Sequence, residues 1–194
     1  MTEPRQPSAD EVRALVQRIV DQTLDQDAAD AAPGSDGRTI VAIAGDHGGW
    51  RLKDAIGRWL EEHGYVVRDC GTDSDDAVDY PDLAHAVARM VSEKTACCGI
   101  IVDGAGIGSA MAANKVPGVR AANCHDISSA RNSREHNYAN VLTLGSGFLG
   151  TPLALQVVET WLDTEWGAER HGRRVEKINA IERSYTGSTG GKDT

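Results

Sequence analysis

The sequence holds no stretch approaching the roughly 18 consecutive apolar residues that a membrane span needs, so no membrane partner is expected. It also lacks a cationic start followed by an apolar core, and no secretory signal is expected. Positive charge is in deficit: Lys and Arg number 20 against 29 Asp and Glu, for a net charge of −9 over 194 residues. That balance argues against nucleic acid as a partner. Cysteine is scarce, and Cys70, Cys97, Cys98 and Cys124 follow neither a C-x-x-C nor a Cys/His zinc spacing. They sit in apolar or strand-like surroundings and read as buried free thiols in a reducing cytoplasm.

What remains is 40% hydrophobic and 25% charged. That is the balance of one globular domain large enough for a sizeable core, with an appendage. Residues 1–37 read differently from the rest, carrying eight acids, three arginines and more than half of the net charge. Val12, Leu15, Val16, Ile19, Val20 and Leu24 recur at helical spacing behind Ser8 or Asp10 as a cap. With polar residues on the other face, this predicts an amphipathic helix of about four turns. Residues 27–37 compose a flexible linker, and the Gly/Ser-rich end at 186–194 reads as a disordered tail.

Between these segments, residues 38–185 alternate. Strand-like runs fall at 39–44, 65–69, 98–102, 119–124 and 141–144, with helical patterns at 50–63, from near 81, through 111–115, and at 127–135, 152–164 and 173–183. Repeated strand-then-helix units with short links predict an α/β fold, a Rossmann-like doubly wound parallel sheet of about five strands. Such sheets bind ligands outside the carboxyl ends of their strands, so the residues after each strand are the candidates.

After the first strand come Gly45, Asp46, His47, Gly48 and Gly49, read either as an Asx-capped turn or as a carboxylate and an imidazole at a ligand edge. After the third come Asp103, Gly104, Ala105, Gly106, Ile107, Gly108 and Ser109. Alternate glycines before a helix suit an anion, such as a phosphate or a developing enediolate, or simply tight strand–helix packing. Dinucleotide binding is a minor alternative. Ser109 stands where the fingerprint wants its third glycine, and the loop follows the third strand, although Asp126 lies about where a ribose-binding acid would. His136 ends a helix beside Asn137, and Arg170, His171, Arg173 and Arg174 gather cations in an acidic chain. His136 reads either as a structural group held by the helix dipole or as a proton donor, and the arginine cluster either as solvated surface or as an anion contact.

Together these stretches resemble the type B ribose-5-phosphate isomerase family, which includes the two subunits of galactose-6-phosphate isomerase. The matching residues are Ala44 to Gly49 with Leu52 and Lys53, then Asp69, Cys70, Gly71 and Thr72, then Asp79, Tyr80 and Pro81. They continue with the Gly-rich loop and the segment from Ala112 to Ala121, His136 and Asn137 with Asn140, Val141 and Leu142, and Arg170 through Val175. The match runs collinearly over 39–183. It implies a Rossmann-like fold, a homodimer or tetramer whose active sites draw on two chains, and aldose–ketose isomerisation of a sugar phosphate in the cytoplasm, with no metal and no cofactor.

The resemblance also implies roles. Asp46, His47, Tyr80 and Asn137 contact the substrate, and Gly104, Gly106, Gly108 and Ser109 hold the enediolate. His136 opens the sugar ring or shuttles a proton, and Arg170 and Arg174 hold the phosphate. The chain departs from the family at the base, where Asp103 replaces a cysteine and Ser109 a glutamate. It departs again at Ala105, which replaces a hydroxyl residue, and at Gly147, which replaces a phosphate-binding arginine. A carboxylate is a competent carbon-acid base when partly desolvated, so Asp103 is expected to be the base. The same departures suit a short sugar that does not cyclise, other small-molecule chemistry, or a non-catalytic binding role. Residues 9–26 are expected either to pack on the domain or an oligomer interface, or to dock on a shell protein of a bacterial microcompartment.

Overall fold

The computed structural model describes residues 37–186. The amphipathic helix and most of the linker expected before residue 37, and the tail after 186, lie outside the described residues. In chain order the elements are β1 (Ile40–Gly45), α1 (Trp50–Glu62), β2 (Val66–Asp69), α2 (Tyr80–Ser92), β3 (Cys98–Asp103) and α3 (Ile107–Ala113). They continue as β4 (Ala121–Asn123), α4 (Ile127–Asn137), β5 (Val141–Gly145), α5 (Thr151–Asp163) and α6 (Glu169–Thr186). All five strands are parallel, in the order β2-β1-β3-β5-β4. The chain first winds from β1 out to β2, then returns past β1 to β3. The crevice between β1 and β3 is therefore the topological switch point, where such sheets bind ligands.

The central strands β1, β3 and β5 are buried along their whole length, as continuous apolar runs in a doubly covered parallel sheet require. Alternation sorts their side chains between two cores. Val41, Ile43, Ile100, Val102, Leu142 and Leu144 meet α1, α4 and α5, where Trp161 is fully buried. Ala42, Ala44, Ile101 and Val141 meet α2 and the end of α3.

Three boundaries differ from expectation. The helix after β3 starts at Ile107, inside the Gly-rich loop, and β4 is only three residues long. The last helix begins at Glu169, which puts Arg170 and His171 in its first turn. Among the cysteines, Cys98 and Cys124 are buried, whereas Cys70 and Cys97 are only half-buried. Among the described residues, no helix is long and apolar enough to cross a membrane.

Candidate active site

The carboxyl ends of β1 and β3 present two loops side by side. In the first, the buried Asp46 carboxylate accepts the N–H groups of Gly48 and Gly49, each at 2.9 Å. This turns the chain into α1 and leaves His47 exposed. His47 Nδ1 accepts the Val78 N–H at 3.4 Å, so the β2–α2 loop reaches over to it. That loop is clamped by Asp75, which takes both guanidinium nitrogens of Arg51, at 2.6 and 2.7 Å, and Trp50 Nε1 at 3.0 Å. The Arg51 and Trp50 hydrogen bonds hold the Asp75 carboxyl at about 2, below its ordinary 3.8.

Below the loop, the Lys53 ammonium is buried and donates to Asp69 at 2.6 Å and to the Thr72 carbonyl at 2.9 Å. Burial disfavours its charged form, but Asp69 and Asp54 outweigh burial and leave the Lys53 pKa raised. The motif residues Lys53, Asp69 and Thr72 are thus a support for the loop. Spacing alone could not pair them.

The second loop is built around Asp103. One carboxylate oxygen accepts the Ala105 N–H at 2.7 Å and also the Gly106 N–H. The other accepts the Ser109 N–H at 3.2 Å and the Ser109 hydroxyl. A carboxylate offers about four lone-pair sites, and all four are filled from within the loop. Asp103 is 5% exposed and Ser109 fully buried. This corrects the expectation of Asp103 as a base open to the ligand and of Ser109 as a ligand contact, because the two side chains bind each other. Gly106, buried with φ of +75°, supplies the left-handed turn that folds the N–H groups back onto Asp103. It too lies under the surface.

Gly104 is exposed at the crest of the loop. At Gly108 a Cβ would fall 2.5 Å from the Tyr80 ring, so the glycine is what lets Tyr80 lie across the loop. The structure therefore brings His47, Tyr80, Gly104 and Gly108 to one edge, with Asp46 beneath them.

The neighbouring strand ends pin this arrangement. The Ala105 carbonyl accepts Asn123 Nδ2 at 3.1 Å and His125 Nε2 at 3.2 Å. The His125 ring meets the exposed Phe148 edge-on at 5.1 Å. His125, Asn123 and Phe148 thus border the site, which the sequence pattern did not reveal. The Ser146 hydroxyl donates to the Gly48 carbonyl at 2.8 Å, tying the β1 and β5 loops together. At Gly147 a Cβ would fall 2.9 Å from the Gly104 carbonyl, so this loop lies directly against the Gly-rich one. Asp126 is occupied as a helix cap, accepting the Ser129 N–H at 2.8 Å. That bond lowers its pKa and removes the reason for reading it as a ribose-binding acid.

The remaining candidates lie elsewhere. Helix α4 carries the chain from the carboxyl end of β4 back to the amino end of β5. Its last residues, His136 and Asn137, therefore sit at the edge of the sheet opposite Asp103. Asn140 confirms the placement, since its carbonyl accepts the N–H of Gly99 at the start of β3. There the His136 ring stacks on buried His171 at 4.3 Å and 7°, and Arg170 Nε donates to His171 Nε2 at 3.1 Å. Burial, then His136, Arg170 and Arg174, push the His171 pKa down. The structure gathers His136, Arg170 and Arg174 around His171 but does not join them to the Asp103 edge of the same chain.

Comparison with known proteins gives one consistent picture. A sequence model described as Ribose/Galactose Isomerase matches residues 41–178. Ribose-5-phosphate isomerase B of Escherichia coli is 43% identical over 142 residues, covering 73% of this chain and 95% of that protein. D-erythrulose-4-phosphate isomerase of Pectobacterium atrosepticum is 37% identical over 143 residues, covering 73% and 94%. Among solved structures, ribose-5-phosphate isomerase B of Clostridium thermocellum superposes with a TM-score of 0.75 at 47% identity, over 76% of this chain and 99% of that one.

Proposed function

Because the chain belongs to the ribose/galactose isomerase family, we propose that it interconverts the aldose and ketose forms of a short sugar phosphate, of four or five carbons, through an enediolate. The observation that carries this reading is the edge at the β1/β3 switch point, where His47, Tyr80, Gly104 and Gly108 converge above Asp46. The four-carbon end of that range is supported by Ala105, which has no hydroxyl to assist ring opening, while Gly147, which offers no cation where the family places an arginine, supports a smaller anion. A relative named for a four-carbon ketose phosphate supports it as well.

One copy carries the edge and the cation cluster at opposite ends of its sheet. A complete site therefore takes the edge of one copy and His136, Asn137, Arg170 and Arg174 of a second, as a homodimer or a larger assembly. In it the two arginines hold the phosphate. A four-carbon ketose phosphate has no ring to open, which frees His136 to carry the proton between C1 and C2. Asp103 is then a positioning residue that fixes the loop bearing Gly104 and Gly108. A second reading, binding without turnover, is favoured by one observation: the loop N–H groups of Ala105, Gly106 and Ser109 already hold an anion, the Asp103 carboxylate.

Assays on four-, five- and six-carbon aldose and ketose phosphates test the reading. Turnover should be fastest on the four- or five-carbon pair. Tight binding with no turnover on any would establish the second reading, and neither binding nor turnover would remove both. For residues 9–26 we propose docking on a microcompartment shell protein, supported by the amphipathic spacing and the linker alone. Deleting residues 1–37 should leave melting temperature and turnover unchanged while abolishing co-localisation with the shell. A large drop in melting temperature would assign the segment to packing instead.

A further inference from the structure

At the end of β3 opposite the Gly-rich loop, the fold sets two thiols side by side. Cys97 and Cys98 are consecutive, and consecutive side chains of an extended strand point to opposite faces. Here their Sγ atoms lie 3.3 Å apart. Cys98 opens β3, opposite Val41 in the ladder, while Cys97 precedes the strand and packs against the same core. The separation exceeds the 2.03–2.05 Å of a disulfide and suits two sulfurs that share one bridging atom. Cys98 is buried, and Cys97 is half-buried and so open to an incoming reagent.

The Cys98 thiol and the Arg134 guanidinium bias Cys97 toward its thiolate, despite burial. Cys97 and burial push the Cys98 thiol well up. The pair thus offers a nucleophile and a second thiol that follows it.

We propose that Cys97 and Cys98 form a two-thiol capture site for trivalent arsenicals of the R–As=O class. The Cys97 thiolate attacks arsenic first, and Cys98 closes the bridge. Each sulfur exchanges its S–H bond for an S–As bond, and the two protons leave with the arsenical oxygen as water. Arsenic stays trivalent, so no oxidant is needed. A metal ion is the weaker fit. Among the described residues, no group of three His, Cys, Asp or Glu side chains could hold one, and a structural zinc takes four ligands. An internal disulfide is weaker still, because consecutive Cα atoms lie about 3.8 Å apart, closer than the roughly 4.4–6.8 Å that disulfide geometry takes.

The inference is independent of the isomerase reading. Its test is titration of the reduced full-length chain with phenylarsine oxide, followed by intact mass and thiol counting. The expected product carries one phenylarsenic unit per chain with two thiols lost. It should survive excess glutathione and be reversed by dithiothreitol. Cys97→Ser and Cys98→Ala should each lose the glutathione-resistant adduct, whereas Cys70→Ser should keep it. In the unmutated chain, arsenical treatment should protect both cysteines of the single Cys97–Cys98 peptide from iodoacetamide, a readout that no folding defect can confound. Absence of an adduct, loss of one thiol only, or unchanged alkylation of that peptide would overturn the proposal.

Discussion

A carboxylate whose lone pairs are all filled by its own loop has none to offer a substrate. Asp103 is in that position, with Ala105, Gly106 and Ser109 as donors. Asp103→Asn replaces one acceptor oxygen by an NH₂ group and leaves buried donors unmet, at a cost of about 1–3 kcal/mol. Urea denaturation should register that loss, with turnover falling in step with the disordered loop. If turnover vanished while stability held, Asp103 would be the base after all.

The identity of this residue as a candidate was legible in the sequence, since it sits between a buried strand and alternate glycines. Its direction was not. That depends on the left-handed Gly106 turn and on the buried Ser109 hydroxyl, which spacing does not encode. The same holds for Lys53, whose partners Asp69 and Thr72 come from a different part of the chain.

Strands and helices were more readable, because apolar runs and helical spacing are imposed locally by burial. Five strands and their order of alternation with helices appear where the pattern places them. Helix α6 starts earlier than the pattern suggested, at Glu169. Gly172, a weak helix former, is buried inside that helix. The β2–α2 loop shows how an irregular segment is held over the site: Asp75 joins it to the first turn of α1 through Arg51 and Trp50.

The Asp75 pKa is about 2 when folded and 3.8 ordinarily. A lowered carboxyl pKa contributes stability that is present above the ordinary value and lost as pH falls toward the folded one. The stability gap between the unmodified chain and Asp75→Asn should therefore be constant near neutral pH and shrink between pH about 4 and about 2. A gap independent of pH across that window would show that the clamp does not form. At neutral pH the same variant should raise KM more than it lowers kcat, because His47 loses the loop that reaches it.

The described residues form a sheet with the Asp46 and Gly-rich loops at one end and a cation cluster at the other. This follows from topology: a helix that leaves the carboxyl end of β4 and feeds the amino end of β5 must finish at the far edge. The placement of His136 was thus implicit in the order of strands, although no local pattern announces it. Under the proposed function, two copies supply each other with what each lacks.

The most direct measurement mixes two inactive variants, His136→Asn and Gly108→Val, the latter displacing Tyr80. Neither should turn over the four- or five-carbon sugar phosphate alone. After joint refolding the mixture should recover activity, because mixed assemblies contain a site with an intact edge from one chain and an intact His136 from the other. No recovery from correctly folded mixed assemblies, or full activity of either variant by itself, would contradict a site shared between two copies.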